Sequence, residues 1–172
     1  MTANKTVEDL LADEIKDLYS AEKQLTKAVP KMAKGSKDST LQAAFTAHLK
    51  ETEVQVTRLE EAAKLLGITT GGKKCVGMEG CIKEGAEALE QKGEDHVLDL
   101  GLIGAGGRVE HYEIAGYTTA IALAQSIGAK DVVSLLWQSL AEEVAASEKL
   151  LSIAAALLKK APARAKAKAV SV

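Results

Sequence analysis

In the stretch Gly107-Arg108-Val109-Glu110-His111-Tyr112-Glu113-Ile114-Ala115-Gly116-Tyr117, Glu110 falls into a helical apolar series with Ile103, Gly107, Ile114, Tyr117 and Ile121. It takes a slot that such a pattern reserves for the core. Glu113 lies three residues on and shares that face. A buried carboxylate without partners costs several kcal/mol or takes up a proton. Two of them on one inward face therefore call for a cation or a proton-sharing network opposite.

Three other stretches repeat the pattern. Glu22 interrupts Leu11, Ile15, Leu18, Leu25 and Val29, and Glu143 interrupts Leu136, Leu140, Leu150 and Leu157. In the series Leu41, Phe45, His48, Thr52, Gln55, Leu59, the residues His48, Glu51 and Gln55 make a polar island. Glu22 and Glu51 are 29 residues apart and Glu110 and Glu143 are 33 apart, as if one helical hairpin had been used twice. Hard oxygen donors gathered in a dry bundle suit two metal ions such as iron or manganese, bridged by carboxylates. Two divalent ions would balance the charge of four carboxylates. Glu22, Glu51, Glu110, Glu113 and Glu143 are the candidate ligands. His48 is a further candidate, either as a ligand or as a core histidine that supports one. The alternative for the acids is partial exposure, or ion pairing with Lys27, Lys50 or Arg108 across helices. Tyr19, Tyr112 and Tyr117 read as packing residues.

The elements that must position these side chains are long helices. The first is expected from Thr6, an N-cap with Asp9 three residues on, to Lys34, with Gly35 as its stop and Pro30 able to kink its last turn. The second is expected from a cap at Ser36 or Ser39 to Leu66, ending at Gly67. A short, mostly polar and peripheral helix over 77–92 follows, then a long helix from about Asp95 to Gly128 and a last one over 129–160. Gly101, Gly104, Gly106 and Gly107 read as points of close helix contact. They lack the preceding strand and the spacing of a dinucleotide loop. The sum is an all-α, four-helix bundle of long antiparallel helices with an extra short helix in the crossover, spanning 1–160. Residues 161–172 form a basic, low-complexity tail, expected to be disordered.

Composition agrees. Of 172 residues, 47% are apolar and only 3% aromatic, with two prolines, which suits an all-helical chain large enough to bury a core without staples. A formal net charge of −2 argues against a whole-surface nucleic-acid or membrane binder. No apolar run approaches a membrane span and no signal-peptide core opens the chain, so a cytoplasmic location is expected. Cys75 and Cys81 lack the second pair or nearby histidines of a structural zinc site and read as reduced thiols, with a redox pair as the alternative.

The segments 13–25 (Asp-Glu-Ile-Lys-Asp-Leu-Tyr-Ser-Ala-Glu-Lys-Gln-Leu), 44–53 (Ala-Phe-Thr-Ala-His-Leu-Lys-Glu-Thr-Glu), 75–80 (Cys-Val-Gly-Met-Glu-Gly) and 109–117 (Val-Glu-His-Tyr-Glu-Ile-Ala-Gly-Tyr) closely resemble the YciF/YciE family of bacterial stress proteins. That family lies within the ferritin-like superfamily, and the resemblance covers about residues 6–158. It implies a ferritin-like bundle, a homodimer, a dinuclear metal site and an association with stress. Carried over by position, it puts ligands at Glu22, Glu51, Glu110, Glu113 and Glu143. The wider ferritin-like pattern has Glu-x-x-His on the second and fourth long helices, and here the third positions are Val54 and Ala146. Glu113 or His48 would then fill part of the coordination sphere.

Three functions compete. The metals could handle dioxygen or peroxide under stress, with iron favoured and manganese the alternative. They could instead only hold together a structural or interaction protein. In a third reading the chain builds a mini-ferritin cage for iron storage or DNA protection, its tail touching phosphates weakly by charge.

Overall fold

A computed structural model describes residues 5–160. Five helices follow one another: α1 (Val7–Gly35), α2 (Ser39–Leu65), α3 (Val76–Glu90), α4 (Asp95–Ser126) and α5 (Lys130–Lys160). The basic tail expected over 161–172 lies outside the described residues.

The capping box starts α1 as expected: the Thr6 hydroxyl accepts from the Asp9 backbone N–H and the Asp9 carboxylate accepts from that of Thr6. At the other end the expectation fails, because Gly35 stays helical. Its missing side chain makes room for Leu89, since a Cβ there would come within 2.2 Å of that residue's Cδ2. The cap of α2 is neither Ser36 nor Ser39 but Asp38, whose carboxylate accepts from the N–H groups of Thr40 and Leu41. Ser36 instead turns back on Met32. Gly67 and Gly128 stop α2 and α4 in the left-handed conformation that other residues resist.

The four long helices form an antiparallel bundle in which α1 contacts α2 and α4, and α5 contacts the same two. The apolar seams meet in two clusters. One gathers Leu25, Val29 and Met32 of α1 with Leu41 and Phe45 of α2, Leu102 and Val109 of α4, and Leu150 and Ile153 of α5. The other gathers Leu11, Ile15, Leu18, Leu59, Tyr117, Ile121 and Leu136. Between them lies a buried polar layer.

The short helix α3 is less peripheral than its composition suggests. It seats Cys75 and Met78 in the first cluster, fully buried, and lies over α1 and α4. Of the glycines expected to allow close contact, Gly106 does so: a Cβ there would meet Leu150 at 3.0 Å and Phe45 at 3.3 Å. Gly107 faces open space. Among the described residues no helix is long and apolar enough to cross a membrane.

Candidate metal centre

The polar layer is built by one seam position, or a neighbouring pair, on each long helix. Helical periodicity commits Glu22, His48, Glu110, Glu113 and Glu143 to the same interior as the leucines one turn above and below them. All five are buried: Glu22, Glu113 and Glu143 are 0% exposed, Glu110 2% and His48 5%. Donor atoms of His48, Glu110, Glu113 and Glu143 lie within 4.8 Å of one another. His48 Nε2 stands 3.6 Å from Glu110 and 3.9 Å from Glu143.

Burial is the first cause that pushes the carboxyls of Glu22, Glu110 and Glu113 well above the usual carboxylate range. Neighbouring acids add to it, Glu143 acting on all three. For His48 burial works against the charged ring, but the facing Glu51 and the charge of Glu143 outweigh it, and the imidazole pKa is raised.

Two sets of contacts hold the acids in place. The Tyr117 hydroxyl donates to Glu22 Oε1 at 2.5 Å, so this tyrosine both packs in the core and fixes a carboxylate. Gln55 Nε2 donates to Glu143 Oε1, and at 3.0 Å to Glu142. Arg58 grips Glu142 through both terminal nitrogens, at 2.6 and 2.8 Å. The Arg58–Glu142–Gln55 chain thus ties α2 to α5 beside Glu143.

Much bonding capacity is left over. Glu22 Oε2, both nitrogens of His48, Glu110 Oε2, both oxygens of Glu113 and Glu143 Oε2 are buried with no hydrogen-bond partner among the described residues. Buried polar atoms are rarely left so, and here several unpartnered ones converge. A protein that buries one carboxylate can protonate it; one that buries four beside an imidazole presents a donor set matched to a cation. Oxygen donors with one nitrogen suit a divalent or trivalent first-row metal. The residues fit a metal.

The ion-pair alternative is not what the structure contains. Among the described residues none of the four buried glutamates pairs with lysine or arginine, and Arg108 turns outward to Glu84. Glu51 departs from its expected place in the interior. Its side chain is 45% exposed and stands at the mouth of the layer, 3.5 Å from His48 Nδ1, which holds its carboxyl below the usual range. Position 51 is one helical step off the His48–Thr52–Gln55 line, and this turns it toward the rim. Of the positions where histidines are absent, Val54 is largely exposed and Ala146 half-buried. Periodicity did not single out Arg58, Glu142 or the bond from Tyr117; these are contacts between helices, invisible to the pattern of any one of them.

Cys75 and Cys81 are free thiols, as expected. Burial first, and then Asp17 for Cys75 and Glu84 for Cys81, pushes both upward. The Tyr112 hydroxyl donates to Asp17 at 2.8 Å and touches the Cys75 sulfur at 3.0 Å, pinning the start of α3 to α1 and α4.

A family model described as "Domain of unknown function (DUF892)" matches residues 6–163. The chain is 41% identical over 151 residues to Protein YciF of Escherichia coli strain K12, covering 87% of this chain and 91% of that one. Its fold matches the crystal structure of the E. coli stress protein YciF with a TM-score of 0.89 at 40% identity, over 92% of this chain and all of that one. YcfI of Rhodopseudomonas palustris matches with a TM-score of 0.84 at 40% identity, over 88% of this chain and 98% of that one.

Proposed function

The chain belongs to the DUF892 family and shares the ferritin-like helical bundle of its YciF relative, and from that premise we propose that it is a stress-response protein carrying a dinuclear metal centre. Glu22, His48, Glu110, Glu113 and Glu143 would hold the two ions, iron first and manganese as the alternative, with Glu51 at the rim. The observation that carries this reading is the set of buried, unpartnered donor atoms. Bound there, such ions supply one-electron chemistry toward dioxygen or peroxide.

The chain's own residues do the rest. Tyr117 orients Glu22, and Gln55 with the Arg58–Glu142 pair orients Glu143. The apolar clusters above and below close the layer at its two ends. His48, set between the exposed Glu51 and the buried Glu110, can pass a proton between the rim and the interior.

The test is elemental analysis of protein purified without added metal, beside a Glu22→Ala, Glu110→Ala double variant. About two iron or manganese atoms per chain, lost in the variant, are expected for a four-carboxylate bundle site. A metal-free parent would sink the reading. A second reading, in which the ions only staple the bundle, is favoured by the spread of the buried, unpartnered donors over the long helices: Glu22 on α1, His48 on α2, Glu110 and Glu113 on α4, and Glu143 on α5. It predicts a large fall in melting temperature on chelation and no turnover of peroxide.

Two free cysteines support a reducing, cytoplasmic setting. Exposed Trp137, Val144, Leu151 and Leu158, spaced seven apart along α5, support a homodimer formed on that stripe.

A further inference from the structure

Three sides of the polar layer are covered. The hairpin partners α1 and α2 pack against each other, as do α4 and α5, and α3 lies over α1 and α4. The fourth side, between α2 and α5, is open. The residues facing each other there are alanines, among them Ala43 and Ala47 on α2 and Ala145 and Ala146 on α5, and their short side chains leave a cleft of about 420 Å³. His48 and Glu110, two members of the donor cluster, line its inner end, and Glu51 stands at its mouth. Neither the hollow beneath α3 nor the smaller one beyond Lys149 is lined by any of the five buried donors.

The donors along this cleft form a series. The partly exposed Glu51 carboxylate lies 3.5 Å from His48 Nδ1, and His48 Nε2 lies 3.6 Å from Glu110 Oε2. A first-row or comparable divalent ion sits about 2.1 Å from each of its donors, so donors at this spacing need only small side-chain movements to share one. Both ring nitrogens and Glu110 Oε2 are buried with no hydrogen-bond partner among the described residues. At about 30 Å³ per water, the cleft has room for an ion that still carries its first shell of water. Charge elsewhere along the seam is mixed, since Lys149 borders an adjoining hollow together with Asp38. Selection of a cation therefore lies in the donor series and not in that end of the seam.

We propose that the α2–α5 seam is the port through which a divalent cation reaches the buried layer, with Glu51 taking the ion first and His48 handing it on to Glu110. The alanines are the aperture, which a larger side chain on either wall would narrow. The port deepens the proposed function and rests on that reading for the ion's destination.

Stopped-flow mixing of Co²⁺ with the chelated full-length protein tests it, followed by the visible absorption that cobalt gains among carboxylate and imidazole donors, with elemental analysis of each sample at the end. Ala146→Leu should slow uptake about tenfold or more, because the overpacked seam must open before an ion passes. Release to a chelator should slow by the same factor, so the final cobalt content stays that of the parent. Ala115→Leu, at an exposed position on α4, should change neither rate. Glu51→Gln should slow uptake about threefold at low ionic strength, a difference that salt removes. Ala47→Leu narrows the seam from the opposite wall and takes the place of Ala146→Leu should that variant fail to fold, as judged by melting without metal. Uptake indifferent to both leucines would overturn the port, as would equal slowing by Ala115→Leu, or a leucine variant that holds less cobalt than the parent at saturation and so marks the seam as part of the binding site. Uptake by Glu51→Gln at the parent's rate would overturn the part given to Glu51. A parent protein that takes up no cobalt removes the port and the metal centre together, whereas full uptake at an unchanged rate in the leucine variants removes the port alone.

Discussion

Asp99 and Glu113 lie on the same helix, α4, and are sealed from water alike, at 1% and 0% exposure. Asp99 sits beside the α1–α2 turn and accepts the backbone N–H groups of Lys37 and Asp38, each at 2.8 Å. Glu113 sits in the polar layer and neither of its oxygens has a partner among the described residues. Burial of an acid therefore does not distinguish a joint of the fold from a candidate ligand site. What distinguishes them is whether the lone pairs are used. At Asp99 they hold a turn in place; at Glu113 they remain available to a ligand.

The largest effect should come from breaking the satisfied acid. Asp99→Ala strands two backbone donors and removes a charged acceptor, at about 4 kcal/mol. The melting temperature should fall by about 10 °C for a chain of this size, with metal or without. A loss under about 1 kcal/mol in a denaturant titration would erase the contrast.

The next effect belongs to the unsatisfied acids and has the sign of their pKa shifts. Glu22, Glu110 and Glu113 are all raised, first by burial. A raised carboxyl holds its proton better folded than unfolded. Its contribution is thus complete below the unfolded value of about 4.3 and is lost as pH climbs through the folded value. Chelated protein should lose about 2 kcal/mol between pH 5 and pH 8, seen as a falling melting temperature. Metal-loaded protein should run the other way, because ligands must be deprotonated to bind. A flat profile after chelation would show that burial does not raise these carboxyls.

The smallest effect sharpens the comparison residue against residue. Glu113→Gln keeps the shape and removes the charge, so at pH 8 the chelated variant should be about 1 kcal/mol more stable than the chelated parent, while the variant as purified should hold less metal than the parent. The same kind of exchange at the turn, Asp99→Asn, should destabilise by about 2 kcal/mol, since an amide offers only one acceptor to two donors. Matching signs for the two variants would end the distinction.

Most of the fold was legible because helical seams are a property of one helix at a time. Leu11, Ile15, Leu18, Leu25 and Val29 read as an inner stripe and are one. Glu22, Glu110, Glu113, Glu143 and His48 were legible for the same reason, each being a polar residue in phase with leucines. Glu51 was misjudged by one helical step, since a seam residue and a rim residue differ by 100° of rotation. The cap at Asp38 was missed because serines stand on both sides of it, and all three residues suit an N-cap. Asp99 was overlooked although it is in phase with Leu102 and Gly106; a carboxylate near a helix start looks like an ordinary surface acid. The links from Arg58 to Glu142 and from Tyr117 to Glu22 depend on how far one helix slides along the next, which no single periodicity encodes.

The donor cluster is assembled from both helical hairpins, with Glu22 and Glu143 separated by 121 residues of chain. During synthesis the first hairpin emerges with its glutamate and histidine facing nothing. At 5–20 residues per second the ribosome needs on the order of ten seconds to deliver the residue that completes the set. On the proposed reading a nascent chain lacks the complete donor set, so metal loading would follow the second hairpin and depend on the metal pool of the compartment rather than on translation.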